Sequence, residues 1–206
     1  MKADIRRAML NGKAATDALL AHLKAYDIHH RPVINEANGR LLRLFIAMPE
    51  SIKHLAQNPD VLLMDATYKT NRFNMPLVNT VGIDNCNRTF FISFAFMSGE
   101  TDADYEWSTQ CNLELYQLHV PTVDGPSIIA TDVEQALITV VHKKFPQATA
   151  LLCLWHVQKN VLKHCKGGFV TDEAWKAFEK AVNDIFYAKT EQDYEDQLRE
   201  FSITYA

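Results

Sequence analysis

The chain has 206 residues, 48% of them hydrophobic and 22% charged, with seven glycines and seven prolines. That balance suits one domain of ordinary size with an appendage and excludes a collagen-like or low-complexity chain. The net charge of −4 argues against a uniformly basic surface for nucleic acid.

The charge is unevenly spread: +3 over residues 1–60, −7 over 61–135, +5 over 136–170 and −5 over 171–206. An acidic block followed by a basic one suits a carboxylate metal site beside a phosphate-binding strip. It equally suits charge clustered on solvated helix faces. No apolar run approaches the ~18 residues that span a bilayer. Residues 1–20 lack the apolar core of a secretory signal. Cys86, Cys111, Cys153 and Cys165 show no paired spacing, so a reducing compartment without disulfides is expected.

In chain order, residues 3–26 predict a helix, with Leu19, Leu20 and Leu23 on one face. Two β-rich runs, 29–34 and 40–47, flank a polar turn ending in Asn38-Gly39 and predict a hairpin. Pro49 and Pro59 bracket a short helical linker. Residues 61–68, 76–83 and 88–97 read as an antiparallel meander, the last two joined by a turn at 84–87. From Thr101 or Asp102, either of which can cap, the period becomes helical, with Trp107, Cys111, Leu115 and Leu118 as a stripe. A short strand at 127–131 precedes a helix starting at Asp132, with Val133, Ala136, Leu137, Val140 and Val141 as its inner face. Another short strand, 148–154, precedes helix to the end, broken at Gly167-Gly168.

The order β-β-β-α-β-α-β-α predicts an α/β fold with a ribonuclease H-like mixed sheet. Three parts are expected: 1–58, an N-terminal helix, hairpin and linker; 59–165, the core; and 166–206, the start of a helical insertion.

Asp65 is the first residue whose chemistry needs explaining. It lies mid-strand among Leu63, Met64 and Ala66, where an ionised carboxylate costs several kcal/mol unless a cation or hydrogen bonds compensate. Asp132 follows a strand and precedes a helix, where α/β sheets place their sites. With Gln135 it also fits a capping box. On adjacent strands the two carboxylates would repel, and a hard divalent cation removes that cost. Such pairs serve two-metal phosphoryl transfer, with metals about 3.5–4 Å apart. A third acid is normally needed. Glu106 is the candidate, set against an ordinary exposed helix residue.

Cys153 and His156 have a C-x-x-H spacing that suits zinc, and His164 and Cys165 lie close enough in sequence to complete four ligands. A lone pair of this kind is more often structural. Lys159, Lys163 and Lys166 share one helical face and suit phosphate contacts or an ordinary solvated surface.

Several blocks resemble one family in the same order. They are Met64-Asp65-Ala66-Thr67-Tyr68-Lys69-Thr70-Asn71 with Met75-Pro76-Leu77; Tyr105-Glu106-Trp107; Ile129-Ala130-Thr131-Asp132 with Ala136-Leu137; and Phe145-Pro146 followed by 152–161 around Cys153 and His156. The family is that of the Mutator-like element (MULE) transposases, and the resemblance covers residues 35–165. It implies a DDE-type enzyme with a ribonuclease H-like core that uses Mg²⁺ or Mn²⁺ to cut and join DNA in the nucleus. Its partners would be transposon ends and target DNA, with a homodimer possible and neither membrane nor small-molecule substrate. By position, Asp65 and Asp132 are its first two catalytic carboxylates and metal ligands. Lys69, Lys159, Lys163 and Lys166 are candidates for DNA contact.

The family's third acid lies beyond a helical insertion, and 74 residues follow Asp132 here. The expectation is therefore a truncated core, inactive as it stands. The alternative is a transposase-derived DNA- or protein-binding regulator without catalysis, like the far-red-response regulators that share this core. A third reading, a degenerate gene product, expects Phe178, Val182 and Phe186 to be left uncovered.

Overall fold

The structure, a computed structural model, describes residues 14–205. The chain divides into two compact units, one ending at Cys153 and the other beginning at Leu154.

The first unit is a mixed α/β structure built on one sheet. Its strands are β1 (His29–Ile34), β2 (Leu41–Ala47), β3 (Val61–Thr67), β4 (Leu77–Ile83), β5 (Thr89–Phe96), β6 (Ile128–Thr131) and β7 (Thr149–Leu152). They lie in the order β1-β2-β5-β4-β3-β6-β7. Strands β3, β4 and β5 form the expected antiparallel meander, and β6 adds to β3 in parallel, as β7 does to β6. The hairpin β1–β2 extends the same sheet through an antiparallel pairing with β5.

The turns follow from their polar residues. The Asp84 carboxylate accepts the backbone N–H groups of Cys86 and Arg88 at 2.8 and 2.9 Å, closing the β4–β5 connection. Gly39 takes φ +67° in the β1–β2 connection, a conformation that costs a glycine little.

Four helices accompany the sheet: α1 (Ala15–Ala25), α2 (Pro49–Gln57), α3 (Asp102–His119) and α4 (Gln135–Lys144). Of the helix expected over 3–26, residues 3–13 lie outside the described residues. Along β3 burial alternates with the two-residue period of a strand: Leu62, Met64 and Ala66 are buried, and Val61, Leu63, Asp65 and Thr67 are half-buried. The buried face joins Val78, Ile92 and Ile129 with Tyr105, Leu115 and Tyr116 of α3 and Leu137 and Val141 of α4 in one core.

Two local expectations fail. Helix α4 begins at Gln135 with Glu134 at its N-cap, so Asp132 and Gln135 form no capping box, and Val133 is exposed. The stripe expected on α3 is displaced: Cys111 and Leu115 are buried, but Leu118 is exposed, while Ser108, Thr109 and Asn112 are buried. The reason is a polar network inside the core. Ser93 donates to Asn112 Oδ1 at 2.7 Å, and Asn112 Nδ2 donates to Thr80 Oγ1 and to the Ser108 carbonyl, both at 3.2 Å. Satisfied this way, Ser93, Thr80 and Asn112 can be buried at little cost. Helix α3 is capped by Thr101, whose hydroxyl accepts from the Asp104 backbone in a reciprocal capping box.

The second unit is helical: α5 (Leu154–Cys165), a 3₁₀ turn at Lys166–Gly168, α6 (Asp172–Phe186) and α7 (Glu191–Tyr205). Trp175, Phe178 and Val182 form its core, with Val161, Cys165, Phe169, Phe201 and Tyr205 packed around them. Phe178 and Val182 are thus covered, contrary to the uncovered faces expected of a degenerate product, whereas Phe186 is exposed. Among the described residues, no helix is long and apolar enough to cross a membrane.

Candidate functional site

The parallel register between β3 and β6 sets Met64 opposite Thr131. Both are buried, so the next residues, Asp65 and Asp132, follow at the carboxyl ends of neighbouring parallel strands, both half-buried. Asp132 Oδ2 accepts the backbone N–H of Ala66 at 3.5 Å, and its Oδ1 accepts the backbone N–H of Glu134 at 3.0 Å. The Thr131 hydroxyl donates to the Asp132 carbonyl at 2.9 Å. The Asp132 carboxylate is thereby held across the strand gap, beside the residue that follows Asp65. On its other side, Asp65 lies opposite Asn79 of β4.

Glu100, Asp132 and Glu134 bring acidic charge to the tyrosines nearby. Loss of water pushes the Tyr68 hydroxyl well above its usual pKa, reinforced by its hydrogen bond to Glu100 and by the charges of Glu100, Asp132 and Glu134. Burial does the same to Tyr105, with Tyr68, Glu100, Glu134 and Asp132 adding to it. The Tyr105 hydroxyl lies 3.4 Å from Glu100 Oε1 and donates to it. Glu100, Glu134 and Tyr68 were not singled out from the sequence as site residues. A signal existed: Glu100 lies in the β5–α3 connection just before the Thr101 cap, and Glu134 stands two residues after Asp132. Neither position has a periodicity that marks it.

Glu106, the candidate third acid, accepts from Lys143 Nζ at 2.8 Å and is 3.3 Å from Lys144 Nζ. Hydrogen bonds from these lysines, then their charges, hold its carboxyl below the usual range. Among the described residues, no three or more His, Cys, Asp or Glu side chains are grouped to hold a metal. Lys69 is exposed, directly after β3 and Tyr68, in a left-handed backbone conformation with φ +57°.

Cys153 ends the first unit as a free, half-buried thiol, its backbone N–H bonded to the Thr131 carbonyl. His156 stands on α5 with its ring 4.6 Å from that of Trp155. Cys165 packs against the apolar core of the second unit, and His164 is exposed. Lys159 sits 4.1 Å from the centroid of the Trp155 ring. Lys163 is exposed on the same helix, and Lys166 falls in the 3₁₀ turn beyond it, where the α-helical spacing no longer applies.

The first unit is therefore an α/β core with two aspartates at the ends of adjoining parallel strands. Residues 61–160 match the family model of the MULE transposase domain. The chain is 28% identical over 144 residues to Protein FAR1-RELATED SEQUENCE 6 of Arabidopsis thaliana, covering 70% of this chain and 20% of that protein. It is 26% identical over 141 residues to FAR1-RELATED SEQUENCE 5 of the same plant, covering 68% of this chain and 17% of that protein. The chain thus spans about a fifth of the length of these relatives. The HTLV-2 integrase catalytic core domain, solved with magnesium, aligns over 68% of this chain and 84% of its own, at 11% identity and a TM-score of 0.27.

Proposed function

We propose that this chain carries the ribonuclease H-like catalytic-core segment of a MULE-type DNA transposase, acting on transposon ends and target DNA in the nucleus. Residues 59–165 would be the core and 166–206 the beginning of a helical insertion. The observation that carries the reading is the Asp132 carboxylate held by the backbone N–H of Ala66, the residue after Asp65, at the ends of parallel strands.

Asp65 and Asp132 would hold Mg²⁺ or Mn²⁺. The donor set fits, because Mg²⁺ commonly takes one or two carboxylates and completes its shell with water and substrate phosphates. When bound, the metal would supply charge neutralisation at a phosphodiester and a more acidic water. The chain's own residues do the rest. Backbone N–H groups of Ala66 and Glu134 orient Asp132 before any ligand arrives. Lys69, leaving the same strand end, would meet a DNA phosphate.

A second reading, a DNA- or protein-binding regulator without catalysis, is favoured by one specific observation. The candidate third acid, Glu106, is already held by Lys143 and Lys144.

Calorimetric titration of Mn²⁺ into the whole chain and into Asp65→Asn/Asp132→Asn tests the first reading. Binding by the unaltered chain that disappears in the double variant is expected. Binding of equal strength in both, or in neither, would reject the metal site and leave the non-catalytic reading.

A further inference from the structure

Beyond the two aspartates, the first unit has a cavity of about 330 Å³ between α1, the β1–β2 turn and the loop after β3. This is at the small end of ligand-site volumes. Its floor is apolar, from Leu19, Leu41 and Met75. Its wall carries Phe73 and two cations, Arg40 and Arg72, with no acidic side chain among the described residues that line it. Phe73 remains 64% exposed although the Arg72 guanidinium carbon lies 4.6 Å from its ring centroid.

Both loops that present these groups are fixed by their own hydrogen bonds. In the loop after β3, Asn71 Oδ1 accepts the N–H groups of Phe73 and Met75 at 3.0 and 3.2 Å, and Asn71 Nδ2 donates to the Met75 carbonyl at 2.7 Å. In the hairpin turn, the Asn38 side chain accepts the Arg40 N–H at 3.0 Å, and the Arg40 carbonyl accepts from the Asn35 backbone at 2.8 Å. A large aromatic ring held exposed on a rigid loop between two arginines suits a planar anion. The ring and guanidinium offer a stacking surface, and the arginines match phosphate oxygens.

We propose that this cavity binds one unpaired nucleotide of a DNA strand, its base stacked on Phe73 and its phosphates on Arg40 and Arg72. The loop leaves β3 two residues after Asp65, at Thr67. The inference rests on the reading that the chain handles DNA. It adds that single-stranded DNA, and not only duplex, is gripped, and by which residues.

The test is fluorescence anisotropy with a labelled single-stranded DNA oligonucleotide and its paired duplex, using the whole chain. Phe73→Ala should weaken single-strand binding about tenfold, leave duplex binding unchanged and leave the melting curve in place, since the ring is mostly exposed. Phe73→Tyr should restore it. Arg40→Gln/Arg72→Gln should weaken binding of both forms. It should also reduce the salt dependence, by about 0.7 in the log–log slope for each single-strand phosphate that is no longer neutralised. Equal single-strand affinity in Phe73→Ala, or none in the unaltered chain, overturns the proposal. A parallel Mn²⁺ titration separates the two readings. Metal binding with no role for Phe73 rejects the cavity alone, and a Phe73-dependent grip without metal binding rejects the metal site alone.

Discussion

Asp132 reaches across the gap between two parallel strands and accepts the backbone N–H of Ala66, 66 residues earlier in the chain. The contact is long, at 3.5 Å, and the 3.0 Å bond from the Glu134 N–H fixes the other carboxylate oxygen. Together they aim the carboxylate toward the strand that bears Asp65. Two substitutions separate this orienting role from charge. Asp132→Ala removes both acceptors next to a helix whose N-cap side chain makes no capping bond. A loss of about 1–2 kcal/mol of stability is expected. Asp132→Asn keeps one acceptor oxygen, enough for the 3.0 Å bond from the Glu134 N–H but not for the long one from Ala66, and should cost less, about 0.5–1 kcal/mol. Urea unfolding of both variants measures the difference. A similar loss in both would mean that charge, not geometry, holds the residue.

Glu106 gives a prediction of independence. Its carboxylate is occupied by Lys143 and Lys144. Glu106→Gln should therefore leave Mn²⁺ affinity unchanged within the error of calorimetry. A large fall in affinity would place Glu106 among the metal ligands after all.

Asp104 is the most deeply buried acid among the described residues of the first unit, with Arg43 Nε at 2.7 Å from its Oδ1. Burial pushes its carboxyl upward, but hydrogen bonds from Thr101 and Arg43 and the arginine charge outweigh that and hold it below the usual range. Asp104→Asn breaks both the ion pair and the capping box and should cost about 2–4 kcal/mol. The sign of the pH effect follows from the lowered value. The stabilisation is fully present above the unfolded carboxyl's pKa, near 3.9. It is lost as pH falls through the lower folded value. Denaturant midpoints should therefore fall more steeply below about pH 4 in the unaltered chain than in Asp104→Asn.

His29 works near neutral pH. Burial lowers its pKa from the usual 6.5, and Arg31, His119 and His30 lower it further against a small opposing effect of Glu114. Among the described residues its Nε2 has no hydrogen-bond partner. A base with a lowered folded pKa favours the unfolded state on protonation. Its contribution is fully present above about pH 6.5 and is lost as pH falls toward the folded value. His29→Phe should flatten the stability profile across that window, read from melting temperatures at pH 7.5 and 5.5. An unchanged slope would assign the acid sensitivity to another group.

The element order was legible in local patterns alone, because each strand and helix carries its own hydrophobic period and turn chemistry. The alternation at 61–67, the Asp84 turn and the Thr101 cap are local signals and appear where they were expected. Asp65 and Asp132 could be singled out for the same reason, a carboxylate in or just after an apolar strand. What could not be read there was every feature that depends on residues distant in the chain. The pairing of Ser93, Thr80 and Asn112 lets a polar helix face go inward, against its hydrophobic pattern. The lysines at the end of α4 take Glu106. The hairpin turn and the loop after β3 together bring Arg40 near Phe73. Periodicity reports how one segment meets solvent. Which polar group finds a partner is settled by packing, because a buried hydrogen bond or ion pair needs two sites that the folded chain brings together from far apart.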